Sequence, residues 1–371
     1  MAHTKVIEYI PTMYDGGAET LVKDYALLLD RNQFDVAIVV TESSEDSANL
    51  RRIRQANIRV IPVYRHWNIF VRGWNHFFGR YYVPFRLKRI LKQEKPDVLH
   101  THMLLLKNVC AISDFLKGTR LFYTCHSLPQ RYLCGDNEVE KRAAQYLIQY
   151  NDLQMIALHD DMAVELNQMF SINNTQVIRN GVDFHMFQNA GVTREQKRKE
   201  LGIPGDVFVL GHVGRFADVK NHSFLVDVFH VVAQRKPNAY LLMVGAQDST
   251  EIEEKLNGFG LRDRYQILRN RADINEIMQA MNVFVFPSKY EGLGIALIEA
   301  QAAGLRCVAS DAVPEEAFRT DRAVALPLGD PEQWADAILD PERKGEPHGA
   351  LEDYDMNREI RKLERLYRGA R

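Results

Sequence analysis

Cysteine is scarce in this chain, and the few that occur do not follow a metal-binding or disulfide pattern. Cys110, Cys125, Cys134 and Cys307 include no Cys-x-x-Cys pair and no His/Cys cluster with zinc spacing. Four thiols without such spacing are typical of a protein in a reducing compartment. The sequence therefore predicts free thiols, a cytoplasmic location and no metal site.

Long apolar runs and a strong charge imbalance are also missing. No uncharged apolar run reaches about 18 residues, the length that would span a bilayer. The chain passes from Met1 to a strand-like run at residues 6–10 without a cationic leader. The net charge is -2, which gives no general affinity for nucleic acid. We expect a protein that neither crosses a membrane nor binds nucleic acid.

One segment, residues 65–92, lacks acidic residues. It contains seven basic residues, Arg65, Arg72, Arg80, Arg86, Lys88, Arg89 and Lys92. Eight aromatic residues lie between them: Trp67, Phe70, Trp74, Phe77, Phe78, Tyr81, Tyr82 and Phe85. Such a mixture suits the headgroup zone of an anionic bilayer and could dock the protein beside a lipid-linked molecule. The alternative is a helical pair whose aromatic rings pack into the domain while the arginines face water.

Strand-like and helix-like segments alternate along the whole chain. At 371 residues the chain is long enough for two domains. The alternation predicts parallel sheets with crossover helices, beginning near residues 6–40 and again near residues 207–221. Gly16 and Gly17 lie between the first strand and the first helix. They do not form Gly-x-Gly-x-x-Gly, so the dinucleotide fingerprint is missing, and a tight turn is an alternative role for them.

The most informative stretch is residues 286–304. A strand-like run at residues 283–286 precedes a turn that carries Gly292 and Gly294, and a helix-like run follows it. This order places a helix N-terminus at the carboxyl edge of a parallel sheet, where ligands bind. Two acidic residues, Glu291 and Glu299, stand eight positions apart. The glycines allow the backbone to approach a small hydroxyl-rich molecule.

This stretch resembles the signature of GT-B glycosyltransferases of the large retaining family-four group. The resemblance rests on Pro-Ser-x-Tyr-Glu-Gly-x-Gly and Glu-Ala-x-Ala-x-Gly, with the two glutamates at the family spacing. It implies an α/β protein with two Rossmann-like domains whose parallel sheets face each other across a cleft. We expect an acceptor-binding domain at residues 1–187, a donor-binding domain at 188–353 and a helix at 354–371 that crosses back onto the first domain.

The resemblance also implies which cations meet the donor. In the loop at residues 214–221, Arg215 and Lys220 match the family positions that contact the diphosphate of a nucleotide sugar. Fixed cations and helix N-termini would then stabilise the leaving group without a metal or cofactor. The only Asp-x-Asp triplet, at residues 353–355, lies past the last sheet strand, where we interpret it as a solvated helix entry.

The remaining donor contacts follow the same resemblance. Glu299 has the chemistry to accept hydrogen bonds from the two ribose hydroxyls. Glu291 would hold hydroxyls of the transferred sugar, together with the backbone amides of Gly292, Leu293, Gly294 and Ile295. The pair Gly16 and Gly17 resembles the first loop of the family, which implies amide contact with the donor phosphates or with the acceptor.

In the first half of the chain, His126 is the candidate catalytic residue. A single histidine is usually structural, but Tyr-Thr-x-His-Ser is similar to the Thr-x-His motif of the family, which implies a position facing the donor sugar. His102 matches a looser family pattern. Residues 180–183, Asn-Gly-Val-Asp, resemble the end of the first family domain. The family usually has serine where His159 stands.

The predicted function is a metal-independent, retaining hexosyl transfer from a UDP- or GDP-sugar. The acceptor would be lipid-linked or a glycan, in cell-envelope or capsular polysaccharide synthesis, and the protein could sit peripherally at the inner face of the membrane. Retention is implied by the family, as is substitution from the front face of the sugar. The alternatives are another GT-B enzyme, such as a nucleotide-sugar epimerase, and a catalytically inactive partner subunit.

Overall fold

The structure is a computed structural model. It describes residues 3–14, 16–42, 47–64 and 69–369, except the side chains of residues 69–78, 131 and 136. The chain forms two compact units. The first combines Met1–Asn180 with Asn357–Arg371, and the second is Gly181–Met356.

The first unit is built on a seven-stranded sheet in which every pair of neighbours is parallel. Its strands are β1 (Thr4–Ile10), β2 (Phe34–Val40), β3 (Arg59–Pro62), β4 (Val98–His102), β5 (Arg120–Thr124), β6 (Gln154–Ala157) and β7 (Gln176–Val177). The strand order is β3-β2-β1-β4-β5-β6-β7. Because β1 lies beside both β2 and β4, the chain changes direction there, and the carboxyl ends of β1 and β4 form the kind of crevice where ligands bind in open α/β sheets.

Helices connect these strands and cover both faces of the sheet. They are α1 (Gly17–Leu28), α2 (Ala48–Gln55), α3 (Ile69–Glu94), α4 (Leu106–Cys110), α5 (Pro129–Leu133), α6 (Glu138–Asn151) and α7 (Asp160–Phe170). Alternate residues of β2 serve the two faces: Ala37 and Val39 pack into one core, Ile38 and Val40 into the other. A strand buried on both sides must be apolar throughout, which explains the run Ala37–Val40.

The second unit repeats this design with a six-stranded parallel sheet. Its strands are β8 (Phe208–Val213), β9 (Ala239–Val244), β10 (Tyr265–Leu268), β11 (Val283–Phe286), β12 (Arg306–Ser310) and β13 (Ala323–Leu326), in the order β10-β9-β8-β11-β12-β13. Its helices are α8 (Phe184–Gln188), α9 (Arg194–Leu201), α10 (His222–Arg235), α11 (Thr250–Gly258), α12 (Ile274–Gln279), α13 (Ile295–Ala302) and α14 (Pro331–Leu339). The helix α14 begins with Pro331, a position where proline is well tolerated.

The segments at which the chain enters and leaves the second unit lie side by side. The amide of Val182 donates to the Tyr354 carbonyl (2.7 Å), and the Met356 amide donates to the Val182 carbonyl (3.0 Å). A Cβ on Gly181 would lie 2.8 Å from the Met356 Cα, so only glycine fits there. The interpretation of residues 353–355 as a solvated helix entry is therefore wrong in part, because Tyr354 is buried and Asp353 pairs with Arg319.

The last helix, α15 (Met356–Arg368), packs on the first unit from residue 357 onward. Its apolar stripe is buried and consists of Met356, Ile360, Leu363 and Tyr367. The Glu364 carboxylate accepts a hydrogen bond from the Asp30 amide (2.9 Å). Helical spacing thus brings one face of α15 into the core.

The helix α3 contains most of the predicted basic and aromatic segment. The structure shows one helix with Pro84 inside it where a helical pair was the alternative. From residue 79 onward, one face is buried through Val83 and Leu87, while Tyr81 and Phe85 are exposed. Residues 65–68, including Trp67, lie outside the described residues, as do the side chains of Phe70, Trp74, Phe77 and Phe78. None of the described helices has the length and apolar character needed to cross a bilayer.

The departure from the family at His159 has a structural explanation. His159 is the N-cap of α7, and its Nδ1 accepts a hydrogen bond from the Met162 amide (3.2 Å). Serine is a preferred residue at N-caps because its side-chain oxygen accepts the same kind of hydrogen bond. His159 therefore performs the capping role that serine would have.

Candidate functional site

In the second unit, the site begins at the turn between β11 and α13. Gly294 is the N-cap of α13 and has a φ of +83°. A Cβ at this position would lie 2.9 Å from Cγ1 of Val313. Both the backbone conformation and the close packing therefore require glycine. The turn leaves the first amides of α13 at the carboxyl edge of the sheet, where they can bind an anion or hydroxyl groups.

Two of the predicted residues meet in this turn. The Lys220 Nζ lies 2.6 Å from Oε1 of Glu291, and the two side chains are only 17% and 13% exposed. Lys220 also lies over the ring of Phe286, with its Nζ 4.8 Å from the ring centroid. A half-buried ion pair of this kind is stronger than one in open solvent, and Glu291 and Phe286 hold the Lys220 ammonium at the strand end.

The loops that carry this pair are joined through the backbone. The Lys289 amide donates to the Val219 carbonyl (2.8 Å), and the Lys289 ammonium pairs with Asp218 (2.6 Å). The loop after β8 is held on its other side by the Phe216 amide, which donates to Ala246 (2.9 Å). The two loops that hold Lys220 and Glu291 are therefore positioned as one structure.

The other predicted donor contacts lie around this ion pair with differing exposure. Arg215 is exposed in the loop after β8, and its guanidinium has no ion-pair partner among the described residues. Gly292 is exposed at the turn, whereas Leu293, Ile295 and Glu299 are half-buried on it and on α13. The structure thus gathers Arg215, Lys220, Glu291, Glu299 and the turn glycines at the ends of β8 and β11.

A buried histidine pair lies beneath Lys220, and sequence reasoning missed it. His212 is the next-to-last residue of β8 and His222 begins α10, with ring centroids 4.7 Å apart. Burial lowers the pKa of His222 to about 4, helped by the Lys220 charge. Burial likewise holds the pKa of His212 well below its usual range. Both rings are neutral at pH 7, so they add no positive charge to that of Arg215 and Lys220 in this loop.

The first unit offers a different arrangement at the end of β1. Gly16 is the N-cap of α1 with a φ of −104°, and Gly17 is the first residue of that helix. The Glu19 carboxylate folds back over Gly16 and accepts a hydrogen bond from Thr12 Oγ1 (3.0 Å). The structure places the two glycines as a strand-to-helix turn, and neither needs a left-handed backbone.

His126 and His102 are joined in a chain of hydrogen bonds. The His126 Nε2 lies 2.9 Å from Nδ1 of His102, and the His102 Nε2 lies 2.7 Å from Oε2 of Glu8. Glu8 and His102 are fully buried, whereas His126 is half-buried after β5. The chain thus runs from a residue that solvent can reach to a carboxyl group in the core.

Further groups complete this chain on the far side of Glu8. The Tyr367 hydroxyl of α15 donates to Oε1 of Glu8 (2.8 Å). His100 bonds the same Tyr367 hydroxyl through Nδ1, and its Nε2 lies 2.7 Å from Oγ1 of Thr124. The hydrogen bond between Tyr367 and Glu8 therefore joins α15 to β1 across 359 positions of the sequence.

Burial keeps every ionisable group of this cluster in its neutral form at pH 7. Burial raises the pKa of Glu8 to about 8, although the Tyr367 hydrogen bond lowers it somewhat. Burial lowers the pKa of His102 to about 3. The pKa values of His100 and His126 lie well below their usual range for the same reason, with the neighbouring His102 adding to it.

Glu8, His100 and His102 also have the chemistry of metal ligands, and their ligating atoms lie within 4.8 Å of one another. Two ligands of a tetrahedral zinc ion, each about 2.0–2.1 Å from the metal, would lie roughly 3.3 Å apart. The 2.7 Å between Glu8 and His102 is instead a hydrogen-bond distance. We therefore assign the three residues to a hydrogen-bonded cluster.

Sequence reasoning missed Glu8, His100 and Tyr367. Two signals were present: a glutamate in the middle of an apolar strand, and two histidines two positions apart, which a strand places on one face. The parallel register sets Glu8 beside His100. No local signal identifies Tyr367 as their partner, because it lies in the last helix.

Comparison with known proteins agrees with this architecture. The family model for Glycosyltransferase Family 4 matches residues 15–185, and that for Glycosyl transferases group 1 matches residues 207–341. The chain is 28% identical over 358 residues to a putative glycosyltransferase, EpsF, from Bacillus subtilis (strain 168), covering 92% of this chain and 89% of EpsF.

A second relative is a UDP-Gal:alpha-D-GlcNAc-diphosphoundecaprenol alpha-1,3-galactosyltransferase from Escherichia coli, 27% identical over 61% of this chain and 60% of that protein. Among solved structures, HepE from Anabaena in complex with UDP and glucose has a TM-score of 0.76 and 18% identity, covering 99% of this chain and 100% of HepE. On these grounds the chain belongs to the GT-B glycosyltransferases of the family 4 type.

Proposed function

We propose that this glycosyltransferase moves a sugar from a nucleoside-diphosphate sugar onto a glycan or lipid-linked acceptor, with retention of configuration and without a metal ion. The observation that carries the proposal is the ion pair of Lys220 with Glu291, held beside the N-terminus of α13. It sets a cation, a carboxylate and free amides at one edge of a parallel sheet. A sugar diphosphate needs these three kinds of partner.

The ion pair supports a specific role for Lys220. As the glycosidic bond breaks, negative charge grows on the departing diphosphate, and a cation already fixed in place stabilises that charge without reorganising. Glu291 balances the Lys220 charge at 2.6 Å. Donor phosphate then competes for Lys220, and Glu291 is released to accept hydrogen bonds from sugar hydroxyls. Arg215, which is exposed on the same loop, adds a guanidinium that can bind phosphate in a bidentate manner.

The N-terminus of α13 serves the rest of the donor. The amides of residues 292–295 meet the transferred sugar and the phosphate, since a helix N-terminus favours negative charge. Glu299, one helical turn further along α13, accepts hydrogen bonds from the ribose hydroxyls. Gly16 and Gly17 supply amides of the first unit to the phosphates or to the acceptor.

The chemical step is a front-face substitution. The acceptor oxygen forms a bond to the anomeric carbon while the bond from that carbon to the phosphate oxygen breaks, and both events occur on the same face of the sugar. The proton of the acceptor hydroxyl passes to the departing phosphate. His126 is the residue of the first unit that we assign to catalysis, as a hydrogen-bonding partner of the reacting sugar.

The names of the relatives support a choice of donor and of acceptor class. One relative uses UDP-Gal and a diphosphoundecaprenol-linked acceptor, and HepE is seen with UDP and glucose. We therefore propose a UDP-sugar, with a GDP-sugar as the alternative. We propose an acceptor from cell-envelope or capsular polysaccharide synthesis.

The exposed face of α3 supports peripheral binding to the inner face of an anionic membrane. Tyr81 and Phe85 are 66% and 62% exposed, and exposed basic residues accompany them on the same helix: Arg80, Lys88, Arg89 and Lys92. Aromatic rings flanked by cations favour the headgroup zone. Co-sedimentation with vesicles containing anionic lipid at low salt tests this part. Binding that is lost in Tyr81→Ser/Phe85→Ser supports it, and absence of binding by the unmodified protein removes it.

The experiment that tests the proposal is a screen of nucleotide sugars by thermal shift, followed by donor hydrolysis in EDTA. We expect one nucleotide sugar to raise the unfolding temperature and to be hydrolysed slowly with chelator present. Loss of turnover in EDTA that added metal restores contradicts metal independence. Binding without any turnover points to an inactive partner subunit, and conversion of one nucleotide sugar into its epimer points to an epimerase.

A further inference from the structure

The hydrogen-bond chain behind His126 has a definite direction. His126 engages His102 through Nε2, and His102 engages Glu8 through its own Nε2. His126 Nδ1 is therefore the ring nitrogen that His102 does not engage. Each link joins one hydrogen atom and one lone pair, so a change at Glu8 must pass through both rings.

We propose that Glu8 acts through His102 as a positioning residue for His126, by deciding which ring nitrogen of His126 carries its hydrogen. The inference rests on the proposed role of His126 in sugar transfer. It adds to that role a buried carboxyl group that sets what His126 presents to the substrate.

When Glu8 is protonated, each hydrogen bond of the chain is donated in the direction from Glu8 towards His126. Tyr367 donates to Oε1 of Glu8, so the Glu8 proton resides on Oε2 and is donated to Nε2 of His102. His102 then carries its hydrogen on Nδ1 and donates it to Nε2 of His126. A neutral His126 must carry its own hydrogen on Nδ1, and it presents an N–H donor to the substrate.

When Glu8 is ionised, every hydrogen in the chain reverses. The carboxylate accepts from Nε2–H of His102, and the bare Nδ1 of His102 accepts from Nε2–H of His126. The Nδ1 of His126 is left with a lone pair. Loss of one proton in the core thus converts His126 from a donor into an acceptor, with no change in the charge of either histidine.

The surroundings of Glu8 favour the protonated form. The titratable groups that face it are His100 and His102 from β4, Tyr25 from α1 and Tyr367 from α15, and His126 from the loop after β5 is connected to it through His102. Within the described part of the chain, no lysine or arginine pairs with Glu8. Burial accordingly raises its pKa to about 8, so the protonated form prevails at pH 7.

An outward N–H suits the proposed reaction. His126 is assigned to the reacting sugar, whose oxygen atoms can accept a hydrogen bond from this N–H, and a fixed donor stabilises charge that develops on oxygen in the transition state. An outward lone pair repels such an oxygen instead. Activity should therefore fall as Glu8 ionises, and the alkaline limb of the pH–rate profile should report Glu8.

The test is long-range ¹H–¹⁵N NMR of the histidine rings in the full ¹⁵N-labelled chain, since this reads the tautomer of His126 without any substrate. For the unmodified protein we expect Nδ1–H of His126 at pH 6 and a change to Nε2–H with a midpoint at about pH 8. Glu8→Gln should hold Nδ1–H at every pH, because the amide donates to His102 and its carbonyl accepts from Tyr367.

Two further variants sharpen the result. Tyr367→Phe removes the hydrogen bond that lowers the pKa of Glu8, so the tautomer change should move to higher pH. Glu140→Gln is the matched control: Glu140 is a second buried carboxyl group of the first unit, bonded to the Lys107 amide. It should leave the midpoint where it is. A His126 tautomer that stays constant with pH in the unmodified protein overturns the proposal even if no variant folds.

Activity measurements separate this inference from the proposed function. In transfer assays, kcat of the unmodified protein should fall about tenfold above the midpoint, the size expected for the loss of one hydrogen bond. The kcat of Glu8→Gln should not fall over the same pH range. One outcome is that His126→Ala retains full activity while the unmodified protein shows the tautomer change with pH. In that case the catalytic role of His126 is wrong and the role of Glu8 stands. If His126→Ala is inactive and Glu8→Gln leaves the tautomer change intact, Glu8 fails alone.

Discussion

The two units use the same strand order around their central strand, β2-β1-β4 in the first and β9-β8-β11 in the second, yet they place opposite chemistry at the strand ends. In the first unit a carboxyl group, Glu8, is buried among neutral histidines. In the second, the half-buried ion pair of Lys220 with Glu291 lies beside exposed Arg215. The same arrangement of strands thus carries a neutral hydrogen-bonded cluster in the first unit and a charged site in the second.

The buried histidines make the same comparison. His100 and His102 have hydrogen-bond partners at both ring nitrogens. In the second unit, the Nε2 atoms of His212 and His222 have no partner within the described residues. The histidines of the first unit can therefore relay a hydrogen, whereas those of the second serve as neutral packing beneath Lys220.

The largest expected effect is on the charged site. Lys220→Ala should lower kcat/KM about 10²- to 10³-fold, because it removes a fixed cation from the developing phosphate charge. The control is Lys289→Ala, a more exposed lysine of the neighbouring loop that pairs with Asp218. Steady-state kinetics of the control should stay within about twofold. Equal losses in both variants would mean that general positive charge, and no particular cation, serves the second unit.

The next effect concerns the neutral site and its stability. Glu8 holds a proton in the folded protein between about pH 4.5 and pH 8, where the unfolded chain has lost it. Raising the pH through this window therefore lowers the free energy of unfolding of the unmodified protein, and Glu8→Gln lacks this loss. Between pH 6 and pH 8 the variant should gain about 2 kcal/mol relative to the unmodified protein. Urea unfolding at several pH values measures it, and a difference that does not vary with pH contradicts a buried neutral carboxyl group.

The strand-to-helix turns at Gly294 in the second unit and at Gly17 in the first should differ in their need for glycine. Gly294→Ala should destabilise by about 2 kcal/mol, because the left-handed backbone and the contact with Val313 both oppose a Cβ. Gly17→Ala should change stability by less than about 0.5 kcal/mol, since a Cβ there meets no atom within 4 Å. Thermal unfolding of both variants gives the comparison. Equal shifts would show that the second turn is no more constrained than the first.

The smallest effect is at two helix caps. Asp330 caps α14 and accepts from the amides of Glu332 and Gln333, whereas His159 caps α7 and accepts from one amide. Asp330→Ala should cost about 1 kcal/mol and His159→Ala about half of that. His159→Ser should restore the unmodified value. A destabilising His159→Ser in thermal unfolding would show that the imidazole does more than cap the helix.

Local patterns in the sequence identified much of the second-unit site. The strand β11, the glycine turn and the helix α13 follow one another within twenty residues, so hydrophobic periodicity and turn residues were enough to place Glu291 and Glu299. The pairing of Lys220 with Glu291 was not predicted, because 71 positions separate them and only the strand order brings them together.

The first-unit site was harder to predict. His102 and His126 were each noted, but as separate residues. The hydrogen bond between them forms because β4 and β5 are neighbours in the sheet. The rest of the hydrogen-bond chain depends on Glu8 in β1 and Tyr367 in α15. Long-range register and the docking of a terminal helix are not encoded in any short stretch. A lone glutamate in an apolar strand was the clue that physical reasoning about burial could have used.

The central claim is that fixed cations of the second unit, and no metal, take up the donor diphosphate. Its most direct test is a crystal structure with a nucleoside diphosphate, prepared in EDTA. We expect diphosphate oxygens to bind the Lys220 ammonium and the Arg215 guanidinium. Glu291 should no longer pair with Lys220, and Glu299 should accept hydrogen bonds from the ribose hydroxyls. A nucleotide bound away from the ends of β8 and β11, with Lys220 still paired to Glu291, would contradict it.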